Sequence, residues 1–195
     1  MLNLIIFGAP GAGKGTQSEH LVEKFNLAHV STGDLLRKEM AEETLLGKEV
    51  RGLIEAGKLV SDEIVGEMIA EFVHNNKQAA GILFDGYPRT EKQCEVLKNI
   101  FAGEALQLTG VIGLEVEQEE LLRRLLHRAN IQNRSDDNEE IILARFKEYE
   151  EKTAPVMEFY KNKNLYFPAK VNGSLEENLA KVEQLVSSLK RQTNA

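Results

Sequence analysis

The sequence predicts an α/β fold in which a parallel sheet is covered by helices. Three observations carry that prediction. Apolar runs of strand length, rich in β-branched residues, recur along the chain at Leu2–Phe7, Leu27–Val30, Ile82–Phe84, Val111–Val116 and Leu165–Val171. They alternate with helical patterns and are apolar on both faces, as befits strands buried under crossover helices. The motifs of chemical character each follow a strand, where such sheets hold their ligands.

The first strand runs into Gly8-Ala9-Pro10-Gly11-Ala12-Gly13-Lys14-Gly15-Thr16, and a helical pattern follows with Leu21, Val22 and Phe25. Glycines admit positive φ and close backbone approach, so successive N–H groups can converge on an anion. The helix adds its positive N-terminal end, and Lys14 adds a point charge. Strand, glycine-rich loop, lysine and helix in this order make a phosphate cradle for a nucleoside triphosphate. The hydroxyl that usually follows the lysine directly arrives one place later, as Thr16.

The second strand leads into Ser31-Thr32-Gly33-Asp34-Leu35-Leu36-Arg37, where Ser31 or Thr32 suits a helix N-cap. Residues 31–60 hold two short helical patterns and no strand, while residues 127–137 are polar and irregular between two helices. Both are candidate flaps over the ligand edge of the sheet. Between them, 62–75 gathers Ile64, Val65, Met68, Ile69, Phe72 and Val73 on one helical face. After the third strand comes Asp85-Gly86-Tyr87-Pro88-Arg89-Thr90. An acidic residue at a strand end, facing a phosphate loop, is where a carboxylate holds magnesium or its waters.

Arg124 and Arg128 then share a helix face at i, i+4 spacing, with Arg134 in the second flap and Arg145 in the next helix. With Arg37 and Arg89, in a chain of formal charge -7, this set reads as a clamp on several phosphates. Asp137 followed by Glu140 marks a helix start. The last helix gathers Leu175, Leu179, Val182, Val186 and Leu189.

A length of 195 residues suits one domain with small flaps, and 42% hydrophobic against 28% charged residues is ordinary for a globular chain. The acidic balance argues against a nucleic-acid partner. The single cysteine, Cys94, excludes internal disulfides and a cysteine-rich zinc site, and reads as a small buried helix residue. No basic region precedes the first strand, and no apolar run approaches the roughly 20 residues of a membrane span. The chain therefore reads as cytoplasmic, without a membrane partner. The four histidines share no spacing and read as structural or surface residues.

The phosphate loop, Ser31–Arg37, Asp85–Thr90 and Arg134-Ser135-Asp136-Asp137-Asn138-Glu139-Glu140 together resemble adenylate kinase in order and spacing, from residue 1 to about 190. The late Thr16 is that family's own variant. The resemblance implies a P-loop NTPase-like, five-stranded parallel sheet. Its core would be residues 1–30, 61–126 and 138–195, with 31–60 a flap for the nucleoside monophosphate and 127–137 a lid. Carried over by position, it implies ATP contacts at Gly11, Ala12, Gly13, Lys14, Gly15, Thr16 and Arg128, with Gly173 at the adenine end. It implies AMP contacts at Thr32, Arg37, Lys58, Leu59, Val60, Gly86, Tyr87, Pro88, Arg89, Gln93, Arg134 and Arg145. Arg124 would join Lys14 and the other arginines around the transferred phosphate. Asp85, with Asp34 as helper, would anchor magnesium through water. The lid is short, so zinc is not expected; a monomer and a cis Tyr87–Pro88 bond are.

The implied reaction is MgATP + AMP ⇌ 2 ADP. Its nucleophile is a phosphate oxygen whose second pKa, about 6, leaves it mostly ionised at neutral pH, so no general base is required. Catalysis would be positioning plus neutralisation of charge. Two other readings share the phosphate loop. A UMP/CMP kinase would share the arginine set too, although pyrimidine-specific relatives carry Ala in place of Thr32. A nucleotide-gated switch needs no acceptor site, and Arg37 and Arg89 on different strand ends argue against it. The Gln93 amide offers a donor and an acceptor to the edge of adenine, and Thr32 adds a hydroxyl there.

Overall fold

Side chains alternate along a strand with period two, and in this protein the two alternating rows of the central strands pack into two separate cores. The computed structural model describes the backbone of residues 1–132 and 139–193 and the side chains of 1–125 and 140–192. Five strands, β1 (Leu4–Phe7), β2 (Ala28–Ser31), β3 (Ile82–Asp85), β4 (Gly110–Glu115) and β5 (Tyr166–Lys170), form one sheet in the order β2-β3-β1-β4-β5. Every pairing is parallel. The helices are α1 (Lys14–Phe25), α2 (Thr32–Ala41), α3 (Leu45–Glu55), α4 (Asp62–Asn76), α5 (Glu91–Gly103), α6 (Gln118–Gln132), α7 (Glu139–Glu148), α8 (Ala154–Lys161) and α9 (Leu175–Thr193). A π turn, Tyr149–Thr153, joins α7 to α8.

On one face of the sheet Ile5, Phe7, Ile82, Phe84 and Val111 pack with Val65 and Ile69 of α4, Leu97 and Phe101 of α5, and Val156 and Tyr160 of α8. On the other, Leu4, Ile6, Leu83, Ile112 and Leu114 pack with Leu21 and Phe25 of α1 and Val182 and Val186 of α9. The neighbours β1 and β3 thus send their following helices to opposite faces. That divergence opens a crevice at their carboxyl ends, where the β1–α1 loop meets the β3–α5 turn.

Several expectations need correction. β2 and β5 are not buried on both faces as the three central strands are, because each is an edge with a single neighbour. Pro168 sits exposed in β5, where an edge tolerates its missing N–H. Leu175 is 56% exposed instead of lying on the apolar face of α9. The buried row starts at Asn178, whose amide closes the β5–α9 turn. Its Nδ2 donates to the Gly173 carbonyl at 2.9 Å, and its Oδ1 accepts from the Gly173 N–H at 3.1 Å. Residues 127–132, expected to be irregular, continue α6 to Gln132, in keeping with helix formers such as Arg128 and Ala129. The remainder of the expected lid, with Asp137, lies outside the described residues. Among the described residues no helix is long and apolar enough to cross a membrane.

Residues 31–60 fold as α2 and α3. Ser31 caps α2 by accepting from the Asp34 N–H at 3.3 Å, and Thr44 caps α3 by accepting from Gly47 at 2.9 Å. The two helices touch so closely at Gly47 that a Cβ there would lie 2.0 Å from the Glu39 carbonyl oxygen. Elsewhere Glu104 ties α5 to α4, accepting from Lys77 at 2.8 Å and pairing with His74 at 2.7 Å. Lys77 first, and then His74, hold its carboxyl below the ordinary range.

Gly47→Ala should force α2 and α3 apart, since the clash is with backbone that has no rotamer to yield. A loss of about 1–3 kcal/mol is expected, read as a lower melting temperature. Glu104 provides the pH test. A depressed folded pKa gives stability that is present above the unfolded value and lost as pH falls through the folded one. The melting-temperature gap between wild type and Glu104→Gln, measured at low salt, should be open at neutral pH. It should start to narrow below the ordinary value of 4.5 and close in stronger acid.

Candidate active site

The loop after β1 owes its shape to glycine backbone. Gly13 has φ 89° and is the N-cap of α1, yet a Cβ there would meet only an Arg124 nitrogen, at 3.8 Å. The backbone angle, not lack of space, calls for glycine. No side chain among the described residues caps this end of α1, so its first-turn N–H groups are suited to an anion. Lys14 folds over the loop, its Nζ donating to the carbonyls of Gly8 at 2.7 Å and Ala9 at 3.3 Å.

This loop opens on a cavity of about 360 Å³ lined by Gly11, Gly13, Lys14, Gly15 and Thr16 together with Asp34, Arg37, Asp85, Arg89, Arg124 and Arg145. Asp85, 8% exposed at the end of β3, accepts from the Ser18 hydroxyl at 3.4 Å. Asp34 pairs with Arg37 within α2. Asp85, Asp34 and Thr16 are hard oxygen donors on one cavity, a set that fits a magnesium ion held by few protein groups and by nucleotide phosphates. Among the described residues no cluster of three His, Cys, Asp or Glu side chains could hold a metal.

A second cavity adjoins the first. Thr32, Gly33, Leu36 and Arg37 of α2, Lys58, Leu59 and Val60 after α3, Gly86 and Arg89 after β3, Gln93 of α5 and Arg145 of α7 line it. Arg37, Arg89 and Arg145 line both cavities and so mark their junction. They come from three separate segments of the chain. Leu59 donates its N–H to Glu148 at 3.4 Å, which brings the segment after α3 against α7.

The β3–α5 turn is closed by hydrogen bonds among its own residues. Gly86 has φ 77°, and the Tyr87–Pro88 bond is cis, as the resemblance implied. Tyr87 is 1% exposed and donates its hydroxyl to the Gln93 carbonyl at 3.2 Å; burial above all pushes that phenol up. Thr90 caps α5, accepting from the Gln93 N–H at 3.1 Å and donating to Asp62 at 3.0 Å. Arg89 itself is held by its N–H on Gln93 Oε1 at 2.6 Å and its Nε on the Gly86 carbonyl at 2.7 Å.

These bonds refine the reading of the pocket. Thr32 donates its hydroxyl to the Gly86 carbonyl at 2.8 Å, so towards a ligand it can only accept. One lone pair of Gln93 Oε1 is taken by Arg89, which leaves its NH₂ as the chief group it can offer.

Arg124 reaches the mouth of the phosphate loop, bonded to Glu120 at 2.8 Å and to the Val171 carbonyl at 3.3 Å. Arg123 first, and then Arg124, hold the Glu120 carboxyl down at about 2, so it stays ionised through the neutral range. Gly173 is not among the residues lining the cleft; it lies in the turn closed by Asn178. The side chain of Arg128 and the whole of Arg134 lie outside the described residues. His20 and His74 pair with Glu183 and Glu104 at the surface, away from the cleft. Cys94 is buried in α5, as expected, and burial pushes its thiol up to about 12.

Reading the sequence residue by residue missed Ser18, Glu148, Tyr149 and Thr153, although all four bear on the site. Ser18 lies on α1 one turn beyond Lys14, a spacing that could have singled it out. The other three sit around a π turn, which sequence periodicity does not reveal.

Comparison with known proteins agrees with this geometry. The adenylate kinase family model matches residues 6–165. The adenylate kinase of Parabacteroides distasonis is 43% identical over 190 residues, spanning 97% of this chain and 100% of that protein. That of Flavobacterium johnsoniae is 41% identical over 190 residues, with 97% and 100% covered. That of Porphyromonas gingivalis is 39% identical over 194 residues and covers both chains fully. Likeness of this extent, in a chain whose phosphate-loop cavity adjoins a second, arginine-lined cavity, shows that it belongs to the adenylate kinase family.

Proposed function

We propose that this chain catalyses MgATP + AMP ⇌ 2 ADP by direct in-line transfer, with ATP on the phosphate loop and AMP in the adjoining cavity. The observation that carries this reading is the position of Arg37, Arg89 and Arg145 on the wall common to both cavities. Three cations at such a junction suit the five or six negative charges that two phosphate chains bring together.

In this reading Lys14 leaves the Gly8 and Ala9 carbonyls for the outer phosphates of ATP. Gly11 to Thr16 supply main-chain donors, and Arg124 and Arg128 lie along the triphosphate. Arg37, Arg89, Arg134 and Arg145 orient the AMP phosphate so that one of its oxygens faces the γ-phosphorus. That oxygen is already ionised near neutral pH, so the chain moves no proton to activate it. Asp85 and Asp34 would hold a magnesium ion through its waters; magnesium supplies charge neutralisation at the β and γ phosphates.

The adenine of AMP is read by Gln93, whose NH₂ donates to N1, and by Thr32, whose oxygen accepts from the exocyclic amine. Lys58 to Val60 and Gly86 to Pro88 enclose the ribose and base. Gly173 flanks the adenine of ATP. Closure of 31–60 and 127–137 would exclude water as a competing acceptor, a device of which the adenylate kinase lid is itself a standard example. The reading includes a cytoplasmic monomer with no nucleic-acid or membrane partner, in keeping with a net charge of -7.

Lys14→Met should lower kcat by about 10²- to 10³-fold, the usual result of removing a stabiliser of transition-state charge, with the melting temperature within a few degrees of wild type. Near-normal turnover in that variant would defeat the assignment of the phosphate loop. The substrate is tested by following ADP formation from ATP with AMP, UMP, CMP and GMP side by side. AMP should lead by at least about tenfold, since a wrong base leaves a buried polar group unpaired. Gln93→Ala and Thr32→Ala should raise the KM for AMP more than that for ATP. Equal use of UMP by the wild type would refute the adenine pocket and leave the kinase class standing.

A further inference from the structure

Thr153 ends the π turn and stands where α8 would take its N-cap. A threonine there ordinarily bonds to the first-turn N–H groups of its helix. Thr153 makes no such bond among the described residues. Its hydroxyl instead donates to the main-chain oxygen of Arg89, 3.2 Å away and 64 residues earlier in the chain. Thr153 is 6% exposed and lines the cleft together with Arg89, Arg145 and Glu148.

Arg89 already has its N–H fixed by Gln93 and its Nε fixed by Gly86. The Thr153 hydroxyl adds a third attachment, on the remaining main-chain polar group of that residue. It also joins two segments. Arg145 belongs to α7, which continues without a break through the π turn to Thr153. The turn is wide, with the Ala154 N–H on the Tyr149 carbonyl, and such turns recur at functional sites.

We propose that Thr153 is a positioning residue that ties the segment bearing Arg145 to the turn bearing Arg89 and so sets the spacing of the two guanidinium groups. The inference rests on the reading of those arginines as ligands of the AMP phosphate. Thr153 itself touches no reacting atom in this role. Its removal should loosen the grip on AMP and spare ATP, which lies mainly on the β1–α1 loop.

The test compares Thr153→Val, Thr153→Ala and Thr153→Ser by AMP calorimetry without ATP, by KM for each nucleotide, and by melting temperature. Valine and alanine should each weaken AMP binding and raise its KM by about three- to tenfold, the size of one lost hydrogen bond. The KM for ATP should stay within twofold, and serine should restore AMP affinity. Unchanged AMP affinity in the alanine variant, an equal rise in both KM values, or no rescue by serine overturns the role. Arg89→Ala, run in parallel, separates this inference from the reading beneath it. If that variant keeps wild-type AMP affinity, the monophosphate assignment falls and Thr153 loses its role with it. If it loses AMP while the Thr153 variants do not, only the Thr153 inference falls.

Discussion

The carboxyl edge of the sheet depends on one topological constraint: β1 and β3 lie side by side while their helices leave for opposite faces. Two adjacent parallel strands with diverging connections cannot close over their own ends, so a crevice forms there whatever the side chains. The phosphate loop and Asp85 are the two ends that face each other across it. The arginines then reach this edge from α2, the β3–α5 turn and α7, none of which belongs to the sheet itself. The central strands, buried on both faces, fix the floor, and the polar chemistry is carried by the last residue of β3, Asp85, and by what protrudes above the sheet.

Above that floor, rigidity comes from satisfied polar groups more than from apolar contact. Around the β3–α5 turn, Tyr87, Arg89, Thr90 and Gln93 bond to one another's main chain, and Thr32 reaches across from α2 to Gly86. Buried polar networks of this kind are costly when incomplete and confer a single arrangement when complete. The pocket thereby presents donors and acceptors whose directions are set by the fold itself, as the proposed base recognition would require. Specificity in such a pocket comes from the unpaired group that a wrong base would leave behind.

Much of this was legible in the chain. The five strands, the two helices of residues 31–60, the glycine-rich loop and Arg37, Arg89 and Arg145 all carry local signals: apolar runs, a capping serine, glycines before a lysine, arginines in motifs that follow strands. What was not legible depends on neighbours distant in sequence. Whether Leu27–Val30 and Leu165–Val171 are central or edge strands is decided by strand order, which hydropathy does not encode. Leu175 fits a helical apolar stripe, but Asn178 occupies the buried row because the preceding turn needs its amide. Residues 127–132 look polar enough for a loop, yet they propagate α6. The direction of Thr32 and Gln93 hydrogen bonding, and the π turn with Thr153, follow from contacts 54 and 64 residues apart in two of these cases.

Lys14 bears a consequence of another kind. Its ammonium rests on the carbonyls of Gly8 and Ala9, inside the loop it serves. The lysine therefore acts as an internal placeholder: its charge is solvated by the loop, and the loop's curvature is braced by the charge. In the proposed reaction, arrival of a phosphate would then be an exchange of partners within a prefolded ring, not the ordering of a floppy segment. Little chain entropy would be lost at that step, so in the proposed reaction the free energy of triphosphate contact would remain available for drawing in the segments on either side. A glycine-rich loop, flexible by composition, is in this way braced from within by its own lysine.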